Sequence, residues 1–218
     1  MRHVARRVLE LDLDMRVVVA SDDERVLDAV APLGVEGALT DSRIGSGTER
    51  AAAVAALPAY SGARVVLNVQ GDEPFFPLDA VRGAVERVGA GDPIGTAAAP
   101  LGEGEVLDPN RVKVVVDGAG RALRFSRRLP ASAAWTCDVE VLHHIGIYAY
   151  ERRALERWVK LPPAPEELEE GLEQLRPLVH GIGVGVARVA GPVPGGVDTE
   201  ADLIAAERYA DTMHQRAG

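Results

Sequence analysis

The chain has 218 residues, of which 47% are apolar and 26% charged, a composition typical of a globular protein with a full hydrophobic core. Its 33 acidic residues against 24 lysines and arginines give a net charge of -9, which argues against a protein that coats nucleic acid or an anionic membrane. One cysteine, Cys137, excludes an internal disulfide, and the sequence lacks both a signal peptide and the roughly 20-residue apolar run of a membrane span, so we expect a cytoplasmic protein.

Strand and helix patterns alternate through the first hundred residues. The predicted strands cover 16–20, 35–39 and 64–69, and the predicted helices begin at Asp22, near Thr48 and at Leu78. Such alternation predicts an α/β fold whose mostly parallel sheet is covered by helices on both faces.

The second half of the chain has a different pattern, and we assign both halves to a single domain, 1–218. A turn signal at 117–120 predicts a hairpin of strands 111–116 and 122–125. The segment 127–142 has no clear period and is predicted to be a loop. The remaining predictions are a strand at 144–150, a helix near 154–159, an acidic helix with Leu168, Leu172, Leu175 and Val179 on one face, a strand at 184–189 and a C-terminal helix from Thr199.

The segment Asn68–Pro74 (NVQGDEP) ends a buried-looking strand with two carboxylates, Asp72 and Glu73. Open α/β sheets bind ligands in the crevice outside the carboxyl ends of their strands, so these acids predict a site for a metal ion and a phosphate. The alternative is an ordinary turn, because Asp and Gly are common turn residues. Asp198 likewise follows the last strand and fits either a helix cap or a second metal carboxylate.

Three other polar positions also have a structural and a functional interpretation. Ser46 and Glu49 have the spacing of a capping box, and the same helix start could hold an anion beside Arg50. His143 and His144 are adjacent in a strand, so one of them can face the crevice while the other faces away. Glu173 and Gln174 lie on the acidic helix, where a solvated face is the alternative to a binding site.

Taken together, the motifs resemble one known family. The matching segments are Ser46–Arg50, Asn68–Pro74, Pro109–Asn110 with Val112–Val115, Phe125–Arg127, His144 with Gly146–Tyr148, Glu173–Arg176 and Val197–Thr199. In this order they resemble the 3-deoxy-manno-octulosonate (Kdo) cytidylyltransferases, or CMP-Kdo synthetases. The resemblance implies a Rossmann-like nucleotidyltransferase fold of the glycosyltransferase-A type, with three layers and a small β-rich part for dimerisation and sugar binding.

The resemblance also implies an activity and residue roles. The family transfers CMP from CTP to Kdo and releases pyrophosphate, which supplies lipopolysaccharide synthesis. By resemblance, Asp72 and Asp198 bind Mg²⁺ and act in catalysis. The residues matched to sugar binding are Arg50, Gln70, His144, Tyr148, Glu173, Gln174 and Arg127, with Lys113 as a further match. The family implies a homodimer, with the hairpin 111–125 and the strand 144–150 as interface elements.

The sequence departs from the family pattern in two places. It lacks the family's basic CTP-binding loop and the central strand before it, so we expect strands 16–20 and 64–69 to face a gap, and a native protein longer by roughly 40 residues. The segment after Arg127 lacks the family's Ile-Pro-Trp-Asp pattern, which leaves another acidic sugar as an alternative substrate. An inactive relative that binds sugar or a partner without catalysis is the second alternative.

Overall fold

The computed structural model describes residues 1–11, 13–102, 104–129, 138–191, 193–197 and 199–217, with side chains up to residue 212. Cys137 and Asp198 therefore lie outside the described residues. The helices are α1 (Arg2–Leu9), α2 (Glu24–Val30), α3 (Gly47–Ala55), α4 (Leu78–Gly89), α5 (Arg152–Trp158), α6 (Pro165–Glu170), α7 (Leu175–Val179) and α8 (Glu200–Ala217). Within this part of the chain, no helix has the length and apolar character needed to cross a membrane.

The strands of the described residues form two sheets. They are β1 (Val18–Ser21), β2 (Glu36–Leu39), β3 (Val65–Val69), β4 (Ile94–Ala99), β5 (Lys113–Asp117), β6 (Ala122–Ser126), β7 (Val139–Glu151) and β8 (Val184–Arg188). Strands β1 and β2 pair separately, while the larger sheet has the order β6-β5-β7-β4-β8, with β3 also paired to β7. The α/β class is confirmed, but the sheet is mixed, since only β1–β2 and β4–β8 are parallel among the described pairings.

Strand β7 is longer than predicted and central to the larger sheet. It begins at Val139, inside the segment 127–142 that the sequence predicts to be a loop. It pairs antiparallel with β3, β4 and β5, so neighbouring strands cover both of its edges. Its residues 144–150 are almost entirely buried. The prediction that this strand forms a dimer interface is therefore wrong, because its hydrogen-bonding edges are occupied within the chain.

Strand β4 was not predicted from the sequence. Its small residues explain why it was missed and also why it can lie in the middle of the sheet. Its sequence IGTAAA has little of the branched or aromatic character by which strands are recognised. All six residues are buried between β7 and β8. A Cβ atom at Gly95 would lie 2.0 Å from the carbonyl oxygen of Ala84, so the glycine permits close packing of α4 on the sheet.

A groove of about 990 Å³ separates β1 from β3. In the described residues β1 pairs only with β2 and β3 only with β7, so the inner edges of both strands face this groove. Apolar residues of both strands and of α1 line it, among them Val4, Val8 and Val19. The two strand edges that were predicted to face a gap therefore do so.

A cluster of aromatic rings fills the core on one face of β7. The rings of Tyr148 and Tyr150 stack with centroids 5.8 Å apart, and Trp158 meets both edge-on. His144 continues the row, with its ring edge-on to Phe125. The Oγ1 atom of Thr96 lies 3.0 Å from His144 Nε2. Burial lowers the pKa of His144 to about 3, so the imidazole is neutral at pH 7.

The predicted acidic helix is in fact two short helices, α6 and α7. Gly171 ends α6 in the left-handed conformation, with φ of 63°, which few other residues adopt. Leu168 of the predicted apolar face is consequently 73% exposed. The two helices are joined by buried Glu167, whose carboxylate pairs with the Arg176 guanidinium and also accepts the Ala164 N–H at 3.0 Å.

We predict that Glu167→Ala lowers the free energy of unfolding by about 3 kcal/mol, because it removes a buried carboxylate and leaves the guanidinium of Arg176, with a side chain only 11% exposed, without its partner. Glu166→Ala is the matched control: it makes the same change on the exposed face of the same helix, and we expect an effect within about 0.5 kcal/mol. Urea unfolding followed by circular dichroism measures both. Equal effects of the two substitutions would contradict the structural role of Glu167.

We also predict that His144 makes the protein sensitive to acid. Its pKa rises from about 3 in the folded protein to about 6.5 on unfolding, so the unfolded state binds the extra proton. The contribution of neutral His144 to the free energy of unfolding is therefore fully present above about pH 6.5. As the pH falls from there towards 4, protonation of the unfolded state lowers the free energy of unfolding by up to about 1.4 kcal/mol per pH unit. In His144→Gln this part of the slope should disappear; an unchanged slope in urea titrations would refute the assignment.

Candidate active site

A polar cavity of about 650 Å³ lies where the carboxyl end of β3 meets β7. The predicted site residues that line it are Gln70, Asp72, Arg127, His144, Tyr148, Glu173 and Gln174. They come from segments up to about a hundred residues apart in sequence. Three of the predicted residues are not in this set: Arg50 lines the neighbouring groove, Lys113 is buried behind the cavity wall, and Asp198 lies outside the described residues.

The turn after β3 is fixed against the middle of β7. The backbone N–H of Gln70 donates to the carbonyl of Gly146 at 3.4 Å, and the N–H of Gly146 donates to Glu73 Oε1 at 3.2 Å. A Cβ atom at Gly146 would lie 2.9 Å from that same Glu73 oxygen. The absence of a side chain at Gly146 leaves room for the Glu73 carboxylate against β7, and the two hydrogen bonds hold the turn that carries Asp72.

Asp72 lies at the junction of the polar cavity and the groove. Gly47, Gln70 and Asp72 line both spaces, which therefore meet at the end of β3. The carbonyl of Asp72 accepts the backbone N–H of Val197 at 2.8 Å, which holds the segment before α8 against the turn. A carboxylate at this junction can act on groups bound in either space.

The donor chemistry of this turn fits a hard divalent cation in part. Mg²⁺ prefers carboxylate oxygens, such as that of Asp72, and usually keeps several waters, so it needs only one or two protein carboxylates. The described residues contain no group of three metal-ligating side chains. The second predicted acid, Asp198, lies outside the described residues.

Arg50 lines the groove between β1 and β3 and not the polar cavity. Its guanidinium donates to the Thr40 hydroxyl and to the Ile44 carbonyl, the latter at 3.4 Å, and lies 3.6 Å from the carboxylate of Asp22. These contacts tie α3 to the loops after β1 and β2. The predicted role of Arg50 in the sugar pocket is therefore not supported by its position in the free protein.

Glu173 and Gln174, in the turn between α6 and α7, form another part of the cavity wall. Glu173 Oε1 accepts a hydrogen bond from the Thr48 hydroxyl at 2.6 Å, and that hydroxyl lies 3.3 Å from Tyr150 Oη. Gln174 is only 7% exposed. The alternative of a solvated face is therefore wrong for Gln174, which presents a buried amide to the cavity.

The two histidines and Tyr148 contribute uncharged groups. Both His143 and His144 line the cavity, although the strand pattern predicted that only one would face it. Burial and the nearby charge of Arg111 lower the pKa of His143 to about 4. Burial raises the pKa of Tyr148 well above its usual value, so its hydroxyl stays protonated. At neutral pH these three side chains can form hydrogen bonds without adding charge.

Lys113 and Arg127 have different roles from each other. Lys113 is completely buried, and its ammonium donates to the carbonyls of Asp108 and Arg127, the latter at 2.9 Å. It therefore supports the cavity wall and does not line the cavity. Arg127 does line it, and its Nε donates to the carbonyl of Glu170 at 3.2 Å.

Several residues of the cavity were not identified from the sequence. Arg111 lies between the matched residues 109–110 and 112–115, but it is not itself part of the match. Helix α8 also contributes: the ring of Tyr209 meets Phe75 edge-on at 4.9 Å, which brings Asp202 and Ala206 to the cavity. The helical periodicity of this segment predicts a helix, but it does not predict that α8 packs against the turn after β3.

Comparison with known proteins identifies the family. The Cytidylyltransferase family profile matches residues 1–184. The 3-deoxy-manno-octulosonate cytidylyltransferase of Gemmatimonas aurantiaca is 46% identical over 217 residues, covering 97% of this chain and 84% of that protein. The protein of the same name from Methylococcus capsulatus is 43% identical over 222 residues, covering 95% and 85%.

Solved structures agree with the sequence comparison. The structure of CMP:2-keto-3-deoxy-manno-octonic acid synthetase complexed with CTP superposes with a TM-score of 0.83 at 34% identity, covering 98% of this chain and 87% of that one. A putative glucose-1-phosphate thymidylyltransferase from Bacillus anthracis has a TM-score of 0.65 at 15% identity, which supports the nucleotidyltransferase fold alone. The chain therefore belongs to the cytidylyltransferase family, among its 3-deoxy-manno-octulosonate cytidylyltransferases.

Proposed function

We propose that this protein transfers CMP from CTP to Kdo and releases pyrophosphate, as the names of its relatives indicate for those proteins. The observation that carries the proposal is the position of Asp72 between two spaces, one of them a polar cavity suited to a sugar. In this reaction the anomeric hydroxyl of the sugar attacks the α-phosphorus of CTP. An acid between the two substrates lies where the bond forms.

The polar cavity has the groups that a polyhydroxylated sugar needs. The Gln174 amide, the neutral imidazole of His144 and the protonated hydroxyl of Tyr148 offer donors and acceptors to sugar hydroxyls. All three are buried and lie on β7 or at the start of α7, so they are ordered before the ligand arrives. Such preorganisation lowers the entropic cost of orienting the sugar for in-line attack.

A divalent cation completes the proposal. Asp72 and Asp198 would hold Mg²⁺, which supplies charge neutralisation for the triphosphate. The residues of the chain position the reacting groups. The turn at Gln70–Glu73 fixes the carboxylate of Asp72, and residues of β7 and α7 orient the sugar hydroxyl towards that carboxylate. The site thus needs no covalent intermediate with the protein.

Oligomerisation and location remain predictions. A homodimer cannot use the edges of β7, which are occupied, so the β5–β6 hairpin remains as the predicted interface element. In the described sheet β6 pairs only with β5, and its Leu123 is 53% exposed. We propose that the protein is cytoplasmic, where CTP is available.

The assay is pyrophosphate release from CTP, Kdo and Mg²⁺. We expect steady release that stops when the metal is chelated and resumes when Mg²⁺ is restored. N-acetylneuraminate, a nine-carbon sugar acid, tests the alternative of another acidic substrate. Release with that sugar alone would overturn Kdo as the substrate, and calorimetric binding of Kdo without any release would favour the non-catalytic alternative.

We predict that Asp72→Asn lowers kcat by about a hundredfold or more, because it removes a charge from the acid between the substrates. Asp79→Asn is the matched control, since it makes the same change at an 83% exposed side chain in the first turn of α4. The melting temperatures of both variants should stay near that of the unmodified protein. Unchanged turnover in Asp72→Asn would refute the metal assignment.

A further inference from the structure

Two side chains of the polar cavity have buried nitrogen atoms without a hydrogen-bond partner. The buried unpaired side-chain atoms among the described residues include Arg111 Nη1 and His143 Nδ1. Both residues line the same cavity. A buried polar nitrogen without a partner is costly and rare in folded proteins, so two of them in one ligand-sized space indicate groups kept for a ligand.

The rest of the Arg111 side chain is firmly held. Its Nη2 atom lies 3.2 Å from Glu105 Oε1, and Glu105 is fixed in turn by the backbone N–H of Gly102 at 2.6 Å. A Cβ atom at Gly195 would lie 2.4 Å from Arg111 Nη1, so glycine at this position makes room for the guanidinium. One end of the planar fork is therefore occupied, and the other end is left for an acceptor in the cavity.

His143 supplies a second group beside this arginine. It is 6% exposed, and it faces Lys113 across the β5–β7 pairing. The charge of Arg111 acts on the ring, which together with burial keeps the imidazole neutral at pH 7. A neutral imidazole with a proton on Nδ1 is a hydrogen-bond donor, and it adds to the arginine without repelling it.

The other arginine of the cavity is used differently. Arg127 donates through Nε to the carbonyl of Glu170 and through Nη1 to the carbonyl of Pro109, at 3.2 and 3.4 Å. Two of the N–H donors of its guanidinium are therefore already hydrogen-bonded to backbone carbonyls. The acids that line the cavity, among them Asp72 and Glu73, would repel a sugar carboxylate placed beside them. Arg111 is thus the better partner for such a group.

We propose that Arg111 and His143 form a subsite that binds the carboxylate of the sugar acid. The proposal rests on the proposed function and names the part of the site that distinguishes an acidic sugar from a neutral one. Two carboxylate oxygens can accept from Arg111 Nη1 and His143 Nδ1 at once, a pairing in which planar shape and charge both contribute. The subsite orients the sugar by its acid group, which directs the adjacent anomeric hydroxyl.

The test uses Arg111→Gln and Arg111→Lys with Kdo and with the methyl ester of Kdo, which lacks the negative charge. We expect Arg111→Gln to raise the KM for Kdo about 10- to 100-fold, to leave the KM for CTP unchanged and to abolish the preference for the acid over the ester. Arg111→Lys should restore part of the preference, since it keeps the charge but loses the fork. A raised KM for CTP would instead assign Arg111 to the triphosphate and overturn the proposal.

Two controls separate substrate binding from support of the loop. Glu105→Gln removes the charge of the ion pair but keeps the guanidinium, so it should retain the preference for the acid; the same loss as in Arg111→Gln would indicate a structural role only. Arg121→Gln changes an arginine with a 63% exposed side chain on the neighbouring hairpin and should have no effect. If the unmodified protein does not react with Kdo, the proposed function fails, and calorimetric binding of Kdo and its ester to the same variants still tests the subsite.

Discussion

The central constraint in this molecule is the burial of β7 with both edges paired. Three strands hydrogen-bond to it, so every other element of the larger sheet takes its position from this one. Its side chains divide the interior: Ile145, Ile147 and Ala149 join one core cluster, and Tyr148 and Tyr150 join the other. A change that shifted its register would exchange the two sets and disrupt both cores.

The site follows from irregularities in that strand. The pairing of β4 with β7 shifts register between Thr96 and Ala97, and the Thr96 hydroxyl donates to the carbonyl of Ile147 at 2.7 Å. The same hydroxyl is within hydrogen-bond distance of the His144 imidazole. Gly146, which lies between His144 and Ile147 in the sequence, contacts the turn that carries Asp72. Strand β7 therefore holds the cavity-lining residues His144 and Tyr148 and the turn that carries Asp72 in one fixed relation.

The sequence predicted the elements whose pattern is local and failed where packing decides. The turn at Asp72 and the helix capped by Ser46 were predicted because their signals lie within a few residues. Strand β4 was missed, since its small residues are selected by the close approach of α4 at Gly95. The acidic helix was predicted as continuous because the spacing of its leucines outweighed Gly171. The ion pair of Arg111 with Glu105 joins two positions in the segment between β4 and β5. The hydrophobic periodicity of the sequence cannot predict a contact of this kind.

The proposed reaction requires the sugar acid to occupy the cavity between β7 and α7, with its anomeric hydroxyl beside Asp72. The most direct measurement is a crystal structure of the protein with Kdo, Mg²⁺ and a non-hydrolysable CTP analogue. We expect the sugar against Gln174 and His144, the α-phosphate on the groove side of Asp72 and the metal on that carboxylate. A sugar bound elsewhere, or a metal without contact to Asp72, would contradict the account.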